Sequence, residues 1–130
     1  MLEKNYKFDA AKVLDALNAD TLTDFPDKLV DVNQVGTSGE RPIHVISMRG
    51  DVDAGVALIR AGADVNVVGE MGSTPLHNAA RWCRVEMARL LLDHGAKVNV
   101  RDKFGQTPLE IAQANGCESI IELLSKGMQE

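Results

Sequence analysis

Gly72-Ser73-Thr74-Pro75-Leu76-His77-Asn78-Ala79-Ala80, followed by Ala88-Arg89-Leu90-Leu91-Leu92-Asp93-His94-Gly95-Ala96-Lys97-Val98-Asn99, is the stretch on which the fold turns. Its words return at a step of 33 residues. Arg41-Pro42-Ile43-His44 precedes Thr74-Pro75-Leu76-His77, and Thr107-Pro108-Leu109-Glu110 follows it. Asp31-Val32-Asn33, Asp64-Val65-Asn66 and Lys97-Val98-Asn99 keep the same step, as do Ala61-Gly62-Ala63 and His94-Gly95-Ala96. Independent markers in one phase identify a repeat architecture, in which each unit buries its apolar face only against its neighbours.

Local chemistry predicts the same unit from its residues. Thr74 can cap a helix that starts at Pro75, where the missing amide of proline costs nothing. Thr107 and Glu110, three apart, read as a capping box. Leu76, Ala79 and Ala80 share one face of a short helix, and their small size admits a close neighbour. Val85, Ala88, Leu91 and Leu92 mark the apolar face of a second helix. Gly95 and Gly62 stand where a left-handed residue ends such a helix. Each unit is therefore helix, tight turn, helix and protruding loop. Arg41 replaces the threonine and leaves the helix after it without that kind of cap.

This pattern resembles the ankyrin repeat from about residue 36 to residue 126. The resemblance implies an all-α solenoid of stacked antiparallel helix pairs with protruding loops or β-turns. A single domain over residues 1–130 is expected, with repeats at 36–68 and 69–101. The segment 102–130 is expected to be a C-terminal capping repeat, because Gln113 stands in the place of Ala80 and Ser125 in that of Leu92. Residues 1–35 read as a degenerate N-terminal cap. Asp9 precedes the helical spacing of Ala10, Val13, Leu14 and Leu17, whereas Pro26 and Leu29 break the second half.

Composition agrees with a globular helical chain. Of 130 residues, 45 % are apolar and 25 % charged, which excludes a disordered chain. One Trp, one Tyr and three Phe leave an aliphatic core. A net charge of −5 argues against nucleic acid as the partner. The charged opening Met1-Leu2-Glu3-Lys4 and the lack of a long apolar run predict a cytoplasmic protein with no membrane association. In a reducing compartment Cys83 and Cys117 are expected as thiols, with Cys117 a packing residue. A bridge needs Cα atoms within roughly 7 Å, less than the expected stacking distance of repeats.

No motif of catalysis is present: no Gly-rich phosphate loop, no GxSxG, no HExxH. The chain is expected not to be an enzyme and to need no cofactor or metal. His44 and His77 occupy equivalent repeat positions, roughly 10 Å apart, too far to share one ion. The resemblance makes them structural histidines that bond within their own turns.

The resemblance also implies that partners meet a concave face built from loop tips and first-helix ends. Carried onto this chain, that face offers Glu70, Met71 and Ser73, then Arg81 and Trp82, in the central unit. The preceding unit offers Thr37, Ser38, Glu40, Met48 and Arg49, with Val68 leading into the next tip. The following unit offers Arg101, Lys103, Phe104, Gln106 and Asn115. Trp82, the only tryptophan, is the principal candidate contact, since Leu76, Ala79 and Ala80 suffice for stacking. Its competing role is to pack over its own helix end. Residues 69–101 hold five basic against three acidic side chains inside an acidic protein. The expected function is thus a protein-binding adaptor or inhibitor, monomeric when free, whose partner offers an acidic patch beside an apolar pocket. The alternatives are a homo-oligomerising structural module or a binder of anionic ligands or nucleic acid.

Overall fold

Among the residues described in the computed structural model, 9–19, 31–36, 39–69 and 71–129, seven helices form. They are α1 (Ala10–Asn18), α2 (Pro42–Arg49), α3 (Val52–Arg60), α4 (Pro75–Arg81), α5 (Val85–Asp93), α6 (Pro108–Asn115) and α7 (Glu118–Gln129). The segment holding Pro26 and Leu29 lies outside the described residues. None of the described helices is long and apolar enough to cross a membrane.

Helix starts follow the sequence signals. The Asp9 side chain accepts the Ala11 amide at 3.0 Å, and Asp51 accepts the Ala54 amide at 3.2 Å. Thr74 Oγ1 accepts the His77 amide at 3.3 Å. Thr107 and Glu110 exchange bonds in both directions, at 2.9 Å and 3.2 Å, which satisfies two amides that the helix itself leaves free. Arg41 offers no such cap to α2, but His44 Nδ1 accepts its amide at 3.0 Å.

Helices α2, α4 and α6 pack side by side as an inner row, and α1, α3, α5 and α7 form the outer row. Ile43, Leu58, Leu76, Ala79, Ala80, Met87, Ala88, Leu91, Ile111, Ala112, Ile120 and Leu124 fill the space between them. The expected outer-helix face is corrected in detail. Leu91 is fully buried, Val85 and Leu92 only partly, and Met87 fills the space instead. An unbranched side chain adapts to such an irregular gap.

The Val-Asn marker has a mechanical role. Asn66 donates from Nδ2 to the Gly95 carbonyl at 3.1 Å and accepts the Lys97 amide at 2.9 Å. Asn33 does the same with Gly62 and Asp64, at 3.1 Å each. One amide side chain thereby fastens each repeat to the next, across the residues that end its outer helix. Gly62 and Gly95 take the left-handed conformation expected of them, at φ 102° and 90°.

The two buried histidines do more than cap their own turns. His77 Nδ1 accepts the Thr74 amide at 3.0 Å, so the ring carries its proton on Nε2 and donates it to the Gln106 carbonyl at 2.9 Å. His44 pairs in the same way with Arg41 and with Ser73, at 3.0 Å each. Each imidazole thus spans two repeats and must be neutral to do so. Burial is the main cause that lowers both pKa values below the ordinary 6.5. A depressed histidine pKa stabilises the fold above about 6.5, and that contribution is lost as pH falls toward the folded value. The free energy of unfolding in urea, measured from pH 7.5 to 5.5, should therefore fall, with a slope of at most about 1.4 kcal/mol per pH unit per histidine. A flat profile would show that the two imidazoles bind protons equally in the folded and unfolded states, so that burial does not depress them.

Candidate protein-binding surface

Three equivalent loops lead into the inner helices. Gly36 donates to the Glu40 carbonyl at 2.7 Å, Gly69 to Ser73 at 3.0 Å and Asp102 to Gln106 at 2.9 Å. The loops lean on one another: the Lys103 amide donates to the Met71 carbonyl at 3.0 Å. In the third loop the Asp102 carboxylate accepts the Phe104 and Gln106 amides at 2.9 Å and 3.0 Å. This shapes the turn that holds Phe104 outward, 70 % exposed.

Val68, Met71 and Trp82 are each about half exposed. Exposed apolar side chains mark a contact surface where they adjoin one another, whereas scattered ones are ordinary. Val68, Met71, Lys103 and Phe104 belong to the loop tips, and Arg49, Arg81 and Trp82 to the far ends of inner helices. The length of α4, about 10 Å, separates the two groups. Met48 is half-buried and gives its carbonyl to Arg84 Nε at 2.8 Å. Arg49 and Lys103 are exposed. Glu70, Thr37 and Ser38 lie outside the described residues. Glu40 and Gln106 are half-buried, and Asn115 is exposed.

Several expectations need correcting. Ser73 is buried, because its carbonyl serves His44 and the chain dives there into the inner helix. Arg81 is exposed, as expected, and its guanidinium is also engaged within the fold. Its guanidinium lies 3.8 Å from the buried Asp102 carboxylate and 3.4 Å from Asn78 Oδ1. Its carbonyl accepts Asn115 Nδ2 at 2.9 Å. It therefore joins two repeats and compensates a buried charge. Arg101 clamps its own loop, reaching the Gly105 carbonyl at 2.6 Å and Glu110 at 3.2 Å. The Glu110 carboxyl is held below its ordinary pKa chiefly by the Thr107 backbone amide, with Arg101 contributing. By contrast, Lys103 forms no ion pair among the described residues.

Val35, 52 % exposed, was missed. The signal was available: it stands 33 residues before Val68, at the entrance to the preceding loop. Cys83 and Cys117 are not the thiols expected of them. They form a disulfide with a Cα separation of 5.9 Å. The separation in sequence is 34, one residue more than the period, so the bond joins non-equivalent turn positions. The spacing between equivalent helices does not govern that distance.

Among the described residues no group of three His, Cys, Asp or Glu side chains is placed to hold a metal ion. What the surface offers is apolar side chains and a lysine on loops and helix ends that neighbouring repeats hold in place.

A family model described as ankyrin repeats, in three copies, matches residues 5–102 and 43–129. No curated protein matches the chain.

Proposed function

The chain belongs to the ankyrin-repeat family, whose members are generally protein–protein interaction modules, and from that premise we propose that it is a protein-binding adaptor or inhibitor. Its partner docks on the concave face formed by the loop tips and inner-helix ends. The observation that carries the reading is the exposure of Trp82, at 53 %, on a helix end whose neighbours Ala79 and Ala80 are fully buried. A tryptophan has no stacking duty there. Trp82, Met71 and Val68 supply the apolar contact, Phe104 extends it, and Lys103 and Arg49 face an acidic rim of the partner. Loops already tied to one another lose little freedom on binding, which lowers the cost of association.

We read residues 1–130 as one domain, with 1–35 as its N-terminal cap and 102–130 as its C-terminal capping repeat. The exposed Gln113, in the place of the buried Ala80, supports the second cap. Family members are typically non-enzymatic, and we read this chain as a monomeric, cytoplasmic binding protein without catalytic activity.

The test is paired measurement of stability and affinity, with the partner recovered by co-purification from the native cell. Trp82→Ala should cost about 1 kcal/mol of stability or less. It should weaken the partner by about 2 kcal/mol or more, as central aromatic anchors do. Lys103→Glu should slow association most at low salt. It is a cleaner probe than Arg81→Glu, which would set a carboxylate against buried Asp102. Unchanged affinity of Trp82→Ala would end the concave-face reading.

A further inference from the structure

The turn joining inner and outer helices recurs three times. Gly50, Cys83 and Gly116 occupy its first position, with φ 73°, 56° and 70°. Cys83 is the only described non-glycine residue with a positive φ. A Cβ there is strained, and glycine on either side shows what the backbone favours. The next position is held by Asp51, Arg84 and Cys117.

The first position of one repeat meets the second position of the following one. At the earlier joint Arg84 lies across Gly50, so close that a Cβ on the glycine would sit 2.7 Å from Arg84 Cδ. The same Arg84 donates to the Met48 carbonyl. At the later joint the corresponding residues are Cys83 and Cys117, and the contact is covalent. One joint is held without a covalent bond. The other keeps a strained cysteine whose particular contribution is its sulfur. Cys83 is exposed and Cys117 buried, so a small thiol has access from one side.

We propose that Cys83 and Cys117 form a reversible dithiol–disulfide latch that fastens the central repeat to the last one in response to small-molecule disulfides and thiols. In closing, the Cys83 thiolate attacks a low-molecular-weight disulfide and expels one thiolate, leaving a mixed disulfide. The Cys117 thiolate then attacks the Cys83 sulfur and expels the second. Two cysteine thiols lose two electrons and two protons, and the external disulfide becomes two thiols. Opening is the reverse, begun by an external thiolate at the exposed Cys83 sulfur. The electron pair of the broken bond goes to Cys117. That residue immediately precedes α7, and its carbonyl accepts the Ile121 amide at 3.0 Å. Its thiolate therefore forms at the positive end of a helix, where a negative charge is favoured. A bond of this kind suits a reducing compartment, where disulfides are transient and responsive.

The test needs no binding partner, so its failure leaves the docking surface undecided and the reverse also holds. The protein is equilibrated in graded ratios of reduced and oxidised glutathione, from both the oxidised and the reduced form. Free thiols are then alkylated and counted by mass. Trp82, one residue from Cys83, gives an independent signal, because reduction relieves disulfide quenching of its fluorescence. Both titrations should superimpose on one two-electron transition. The reduced protein should stay helical by circular dichroism and melt about 10 °C lower. Cys83→Gly should melt above Cys83→Ala and be insensitive to glutathione, because it removes the strained Cβ together with the bridge. A bridge that never forms, or one that persists in excess reduced glutathione, overturns the latch. So does a Cys83→Ala variant more stable than Cys83→Gly.

Discussion

Leu91→Ala is expected to lower the free energy of unfolding by about 2–5 kcal/mol, because it empties space that no neighbour can refill. Leu91 has no exposed surface, and it belongs to a cluster with Leu58, Met87, Ala88, Ile120 and Leu124. The outer helices α3, α5 and α7 lie side by side, so a cavity in α5 weakens contacts to both neighbours. In a solenoid every repeat depends on adjacent ones, and the loss in the middle unit is felt on two sides. Phe104→Ala removes a larger side chain, yet it should change stability by no more than roughly 0.5 kcal/mol, since Phe104 is mostly in solvent. Urea unfolding of the two variants checks the ratio. Comparable losses would place the boundary between core and surface elsewhere.

Gly72→Ala is the second large effect, about 2–4 kcal/mol. The backbone at Gly72 has φ 78°, which costs an L-residue about 1–2 kcal/mol. A Cβ would also stand 2.9 Å from the Lys103 amide nitrogen and 3.2 Å from Asp102 Cα. Those atoms are backbone and cannot swing aside. Relief requires the loops to part, which strains the Lys103-to-Met71 hydrogen bond; such a bond contributes about 1 kcal/mol. Gly95→Ala makes the control. Its φ is 90°, but a Cβ there meets nothing within 4 Å. It should cost only the conformational part, about 1–2 kcal/mol. Gly95→Val adds a β-branched side chain at this positive φ and should be worse. Equal losses for Gly72→Ala and Gly95→Ala would mean that the loops do not touch in solution. The proposed docking surface depends on this contact, because Met71 and Lys103 are placed relative to one another by it.

The architecture was legible in the chain because it is written in local chemistry that recurs. Pro75 after Thr74, Thr107 with Glu110, Gly95 after a helix and the spacing of Leu76, Ala79 and Ala80 act within one turn of chain. Each announces itself wherever the repeat step returns. The exposure of Val68, Met71, Trp82 and Phe104 followed from the same phase, since these positions have no part in stacking. The tertiary structure decided the contacts between neighbouring repeats. Arg81 meets Asp102, Asn115 meets Arg81, Cys83 meets Cys117, and Ser73 is buried under His44. The period states which positions are equivalent, but not the lateral offset at which neighbouring units settle. That offset is the compromise of all their packed side chains, Met87 among them. An offset of a few ångströms separates a free arginine from the partner of a buried carboxylate, and two thiols from a bond.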